Sequence, residues 1–220
     1  MNRNDKGFTL IEILVVVAIL ATLMGLVALI IPLAERKKRE FITETRITAL
    51  GIAIVRYEQE FGRLPPMTVA GLAKTGYARW KGISIDGNVT NEGIEIVLIA
   101  LQHPDFGAKL ADDLIGEGAR GNTDKDTWNQ DPLDGDGNVY EVLDGYDNPL
   151  IYIDKNNYGK SFVYIMDDER EVTVTAVKKE DGTYYNPRTF QIISLGVNGE
   201  QEQPGDDTRD DMANFAVAGE

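Results

Sequence analysis

The feature that most constrains this chain is the run from Ile13 to Ala34. It is twenty-two residues without a charge, in which only Thr22, Gly25 and Pro32 interrupt Leu, Val, Ile, Met and Ala. A helix rising 1.5 Å per residue needs about 20 residues to cross a hydrocarbon core of ~30 Å. The run therefore predicts one membrane-spanning helix. A secretory signal would carry a shorter apolar region followed by a small-residue cleavage site, whereas Glu35-Arg36-Lys37-Lys38-Arg39-Glu40 follows here, so the segment is expected to stay on the chain. By charge alone, the four basic residues after the run outweigh Arg3 and Lys6 before it, and the positive-inside rule would leave the large C-terminal part in the cytoplasm.

Past Pro32 the pattern changes from all-apolar to one-faced. Phe41, Ile47, Leu50, Ile54, Tyr57 and Phe61 recur at spacings of three and four from Ile47 onward, the mark of an amphipathic helix. Gly62 and Pro65-Pro66 stop it. One helix from about residue 9 to 61 is predicted, with Gly25 and Pro32 as places where it could bend. Residues 67–92 are rich in glycine and turn residues, hold Tyr77 and Trp80 without clear periodicity, and read as a loop with a short hairpin. Gly93 to Leu101 reads as a short helix ending before Pro104, with a further turn at Leu110 to Ile115. After an acidic, loop-like stretch from Gly116 to Asn148 come β-type runs at Pro149–Asp154, Ser161–Met166 and Thr189–Leu195, with Val172–Val177 as a fourth. Asp181-Gly182 supplies a hairpin turn. The class is α+β: a long N-terminal helix, transmembrane in its first half, packed on a small antiparallel β-sheet.

Charge and composition narrow the function. The net charge is −14, and residues 41–220 carry sixteen basic against thirty-two acidic residues. Such a surface repels phosphate backbones, which disfavours nucleic acid as a ligand and favours divalent cations or basic partner faces. Catalytic groups are scarce: there is no cysteine, His103 before Pro104 is the single histidine, and no strand-turn-helix serine motif occurs. His103 reads as a helix-end or surface residue. Asp167-Asp168-Glu169 beside Arg170 reads as a solvated turn, and Gly196-Val197-Asn198-Gly199 lacks the lysine of a phosphate loop. No enzyme is expected.

Two loops have the oxygen-rich character of hard-cation sites. In the first, Asp134, Asp136 and Asn138 alternate like the start of an EF-hand but lack its glycine and distal glutamate, so an acidic surface loop explains them equally well. The second runs from Leu195 through Asn198 to Asp206, Asp207, Asp210 and Asp211, four carboxylates on a loop with little else to fold it. A bound cation there would relieve repulsion and fix the shape.

Lys6-Gly7-Phe8-Thr9-Leu10-Ile11-Glu12, followed by a long apolar helix, resembles the class III signal of type IV pilins and type II secretion pseudopilins. The resemblance implies cleavage by a prepilin peptidase between Gly7 and Phe8, N-methylation of Phe8, and retention of the helix. It also implies translocation of the C-terminal part across the inner membrane, which overrides the charge count. Further stretches narrow the likeness to the major pseudopilin of the type II secretion system. Tyr57-Glu58-Gln59-Glu60-Phe61-Gly62-Arg63-Leu64-Pro65 resembles its helix end, and Asp144-Gly145-Tyr146-Asp147-Asn148-Pro149-Leu150-Ile151-Tyr152 resembles its Asp-Pro-Trp-Gly-Asn-Pro-Tyr stretch. Ile193 to Gly199 with Asp211-Met212-Ala213-Asn214-Phe215 resembles its calcium loop and tail. The family's trp position holds Tyr146 here, and the insertion before the sheet is long for that family.

On that resemblance residues 1–7 are a leader, 8–34 a transmembrane and filament-core helix, 35–62 its amphipathic continuation, 63–142 a variable region, and 143–220 the sheet and calcium loop. Calcium would be held by the Leu195 carbonyl, Asn198, Asp207, Asp210 and Asp211, with asparagine standing where the family usually has aspartate. Glu12 would pair with the N-terminal ammonium of a neighbouring copy and set the filament's axial register. The implied partners are copies of itself, minor pseudopilins, the prepilin peptidase and the inner-membrane assembly platform. The implied location is a single pass of the inner membrane with the C-terminal part in the periplasm. A surface-pilus or DNA-uptake pilin shares every N-terminal feature. A membrane-anchored calcium-binding adhesin or enzyme is the alternative of another class.

Overall fold

A computed structural model describes residues 10–74, 85–86, 90–102, 116, 118–128, 137–202 and 210–215. Helix α1 runs from Leu10 to Phe61 and continues through Pro32. From Leu10 to Arg39 every residue is exposed, including all the large apolar side chains of the run. Among the described residues this is the one helix long and apolar enough to cross a membrane. A helix that is apolar all round is stable only in lipid or among other helices, so this segment cannot serve as a water-facing surface. By contacts the chain divides into two units, Met1–Arg39 and Glu40–Glu220.

The second unit begins inside α1. The other described elements are α2 (Val69–Ala73), β1 (Ile85–Asp86), α3 (Glu92–Leu101), β2 (Arg120–Gly121), β3 (Thr127–Trp128), β4 (Glu141–Val142), β5 (Ile151–Asp154), β6 (Ser161–Ile165), β7 (Glu171–Thr175), β8 (Phe190–Ser194) and β9 (Met212–Ala213). Thr43, Arg46, Ile47, Leu50, Ala53, Ile54 and Tyr57 form the buried stripe of α1, as the three-and-four spacing requires. Phe41 is not part of it and stands 69% exposed. Six residues before Ile47, it falls on a different face of a 3.6-residue helix. Opposite the stripe lies the sheet β5-β8-β9; a methyl group on Gly51 would stand 3.7 Å from Ile192 Cδ1, so helix and sheet are in close packing.

All described strand pairing is antiparallel, divided among small sheets rather than gathered in one. β8 lies between β5 and β9, with Ile151 opposite Ile193 and Ile193 opposite Ala213. β6 and β7 form a separate hairpin, β2 pairs with β4, and β1 with β3. Of the stretch 67–92, read as a loop with a short hairpin, residues 75–84 and 87–89 lie outside the described residues. Its described part includes α2, capped by Thr68 Oγ1, which accepts from the Gly71 amide at 3.0 Å, and β1, which pairs with β3 far along the chain. Tyr77, Trp80, His103 and Leu110–Ile115 lie outside the described residues. Every residue of β5 and β8 is buried, which accounts for their near-continuous apolar sequence. The exceptions are satisfied: Gln191 Oε1 accepts from the Val177 amide at 2.7 Å, and its Nε2 donates to the Val177 and Tyr185 carbonyls. From Gly93 to Leu101, α3 is buried as well.

A polar clamp fixes α1 on the turn before β5. The Arg46 guanidinium donates to the carbonyls of Leu143 and Asp144 at 3.2 and 2.8 Å, and the Gly145 amide donates to Thr43 Oγ1 at 2.9 Å. Asp144 organises the turn itself: Oδ1 accepts from the amides of Tyr146 and Asn148, and Oδ2 from Ser194 Oγ at 2.5 Å. Burial pushes the Asp144 carboxyl up to about 6, against the pull of these donors. Arg46→Met keeps much of the stem's packing but orphans two carbonyls. A hydrogen bond from a charged donor contributes ~1.5–3 kcal/mol, and urea unfolding of the full-length variant in detergent is expected to show a loss of that order. An unchanged midpoint would mean that the clamp does not hold the helix.

Candidate functional site

Two regions carry the residues singled out by sequence. At the N-terminus, Gly7 and Phe8 lie outside the described residues. Glu12 stands in the first turn of α1, exposed, where a carboxylate is favoured by the positive end of the helix dipole. Its carboxylate begins a surface that is apolar for the next two dozen residues.

The C-terminal loop leaves β8 at Leu195 and turns at Gly196 and Gly199, whose φ values of 60° and 64° lie in the left-handed region. Asp210 returns against this turn. Its Oδ2 accepts from the amides of Val197 at 2.6 Å and Asn198 at 3.3 Å, and its own amide donates to Glu202 Oε2 at 2.7 Å. The Glu202 amide donates to Asp211 Oδ2 at 3.1 Å. Carboxylate oxygens of Glu202, Asp210 and Asp211 all lie within 4.8 Å of one another. Asp210 Oδ1 is buried with no hydrogen-bond partner among the described residues. Glu202 was not singled out by sequence. It sits at a plain loop position, and its place opposite Asp210 depends on the chain folding back.

Asn198 and Leu195 are arranged differently. The Asn198 side chain presents its amide nitrogen to Glu202 Oε1 at 2.9 Å, and its oxygen accepts from the Glu200 amide at 2.7 Å. The Leu195 carbonyl accepts from the Gly199 amide at 3.1 Å, which leaves one of its two lone pairs. Arg170 reaches across from the β6–β7 hairpin, donating to the Asn198 carbonyl at 2.8 Å. Asp207 lies outside the described residues, as do Asp134 and Asp136 of the other loop. Asn138 bridges to Thr127, and its Nδ2 is 3.3 Å from Tyr140 Oη.

Residues 2–28 match the family described as the prokaryotic N-terminal methylation motif. The match indicates a type IV pilin-like protein, processed at its N-terminus. It spans the Gly7-Phe8 bond, Glu12 and sixteen of the twenty-two residues of the apolar run. No curated protein and no solved structure matches the chain. The pilin-like reading of the N-terminus thus has support independent of the residues after Ala28, while the C-terminal loop stands on its own geometry.

Gly196 is the hinge of that loop. A methyl group there would lie 2.5 Å from the Asp210 carboxyl carbon and carbonyl oxygen, on a backbone already at positive φ. Gly196→Ala is expected to cost ~1–2 kcal/mol from the left-handed backbone alone and to push Asp210 off its two amides. Hydrogen exchange should show lost protection at Val197 and Asn198; unchanged protection would contradict the arrangement.

Proposed function

We propose that this protein is a structural subunit of a type II secretion pseudopilus, cut between Gly7 and Phe8, methylated on Phe8, and assembled through α1 into a periplasmic filament that drives protein export. The observation that carries the reading is the run of the methylation motif, over residues 2–28, into a helix whose first thirty described residues are exposed and mostly apolar. After cleavage this surface has two environments open to it, the bilayer and the flanks of other copies. At ~25 cal/mol per Å² of apolar area removed from water, burial of such helices supplies the filament's cohesion without specific contacts. Register needs something directional, and Glu12 supplies it.

An ionised carboxylate costs ~2.5–3.5 kcal/mol at the centre of a bilayer on insertion scales, less near the interface. Five residues from the cut end, Glu12 would sit within reach of a neighbour's new α-amino group. In a low-dielectric filament core an unpaired charge is costly, so the ammonium and carboxylate of adjacent copies would lock together at one axial offset. The ATPase-driven assembly platform of the inner membrane and minor pseudopilins would be its partners. The secretion system, rather than a surface pilus, is favoured by the likeness of the Asp144–Tyr152 and Ile193–Phe215 stretches to the major pseudopilin. Mass spectrometry of the mature chain is expected to find N-methyl-phenylalanine at Phe8; an intact leader would overturn the filament reading. Glu12→Ala should leave processing unchanged and abolish filaments, and normal filaments would remove the role given to Glu12.

The C-terminal loop is proposed as a calcium site built on Glu202, Asp210 and Asp211, with Asp207, the Leu195 carbonyl and Asn198 as the remaining candidates. The convergence of three carboxylates supports it. Calcium added to the chelated full-length chain should raise its melting temperature, since an ion at 100 times its Kd adds ~2.7 kcal/mol. Asp210→Asn should shrink that rise. An undiminished rise in the variant would place the calcium elsewhere.

A further inference from the structure

A second acidic cluster lies in the interior, away from the C-terminal loop. Glu95 projects from the first turn of α3, Glu141 from β4, and Asp124 and Asp126 from the loop between β2 and β3. Oxygens of Glu95, Asp124 and Glu141 lie within 4.8 Å of one another. Glu95 and Glu141 are 0% exposed and Asp126 3%. Asp124 is half-buried, so the cluster is approachable on its side.

The surroundings hold the outer oxygens and leave the inner ones bare. Glu141 accepts from Asn91 Nδ2 at 2.7 Å and from the Thr123 amide and hydroxyl. Asp124 accepts from Thr90 Oγ1 at 2.5 Å. Asn91, at φ 55° before α3, also accepts from the Ile165 amide, tying the cluster to β6. In contrast, among the described residues neither carboxylate oxygen of buried Glu95 receives a hydrogen bond. Lys125, between the two aspartates, is exposed and pairs with Glu169 instead. The charges acting most strongly on Glu95 are other carboxylates: Asp126, Asp124, Glu141 and Glu92.

We infer that Glu95, Asp124 and Glu141, with Asp126 beside them, form a second, buried divalent-cation site, and that its ion is calcium. The donor set is oxygen alone, with neither imidazole nor thiolate, which selects a hard cation over zinc or copper. Two ligands on opposite sides of a calcium ion at ~2.4 Å stand ~4.8 Å apart, the limit within which oxygens of Glu95, Asp124 and Glu141 fall. Magnesium demands near-ideal octahedral geometry and gives up its waters reluctantly, which suits a largely buried carboxylate pocket less well. Protonation is the competing way to relieve the repulsion, and burial does push Asp126 up to about 8 and Glu141 up to about 7. Protonation relieves the repulsion one group at a time, whereas both buried oxygens of Glu95 are without a donor among the described residues. An ion would neutralise Glu95, Asp124 and Glu141 at once and join α3, the β2–β3 loop and β4.

The test counts metal. The full-length chain in detergent is stripped with chelator, dialysed against calcium chloride at neutral pH, and assayed for bound calcium by plasma mass spectrometry. Asp210→Asn/Asp211→Asn, which disables the C-terminal loop, should retain one calcium per chain, and Glu95→Gln added to it should remove that ion. Should Glu95→Gln fail to fold by circular dichroism, Glu95→Met, an apolar replacement of similar volume, gives the same readout. The inference is overturned if the unsubstituted chain takes up no calcium, or if the Glu95 variants bind as many ions as their parent.

Discussion

The grip of α1 on the turn between β4 and β5 is the interaction on which the rest of the second unit depends. Arg46 places its charge on two carbonyls of that turn, and the turn's Asp144 in turn receives Ser194 from the end of β8. Asn148, four residues on, accepts from the Asp167 amide of the β6–β7 hairpin, and its Nδ2 lies 3.5 Å from the Gly196 carbonyl. One helix, one strand end, one hairpin and the C-terminal loop are thereby linked through a few buried polar groups. Buried hydrogen bonds of this kind are costly to leave half-made, so the network specifies a single arrangement as well as stabilising it. The apolar stripe of α1 gives the energy, and the clamp gives the register in which that energy is collected.

The same helix carries the functional division. Its continuation through Pro32 joins a segment that needs lipid or other helices to one that belongs to a folded domain. The methylation motif over residues 2–28 marks the chain as pilin-like and processed at its N-terminus.

The acidity of the chain is not uniform. Among the described residues two groups of carboxylates converge, one around Glu202, Asp210 and Asp211 and one around Glu95, Asp124 and Glu141. Like charges brought together in a low dielectric destabilise the fold unless something neutralises them. A domain with no cysteine has no disulfide to close its loops, and cations are the other available staple.

By itself the sequence determined the long helix, its wholly apolar half and its one-faced half, because length, charge exclusion and a three-and-four period are local properties. It also determined the processing signal, which is read as a linear string, and the strands β5 to β8, whose short β-branched and aromatic runs are bounded by turn residues. Phe41 departs from the expected face because the period starts only at Ile47. What the tertiary structure alone decided were the pairings between distant residues: β1 with β3, Glu202 with Asp210, and Glu95 with Glu141. In the sequence Glu95 sits in a short apolar run read as a helix. That it is buried beside Asp124 and Glu141 follows from packing α3 inside, and no local pattern records which segments will meet.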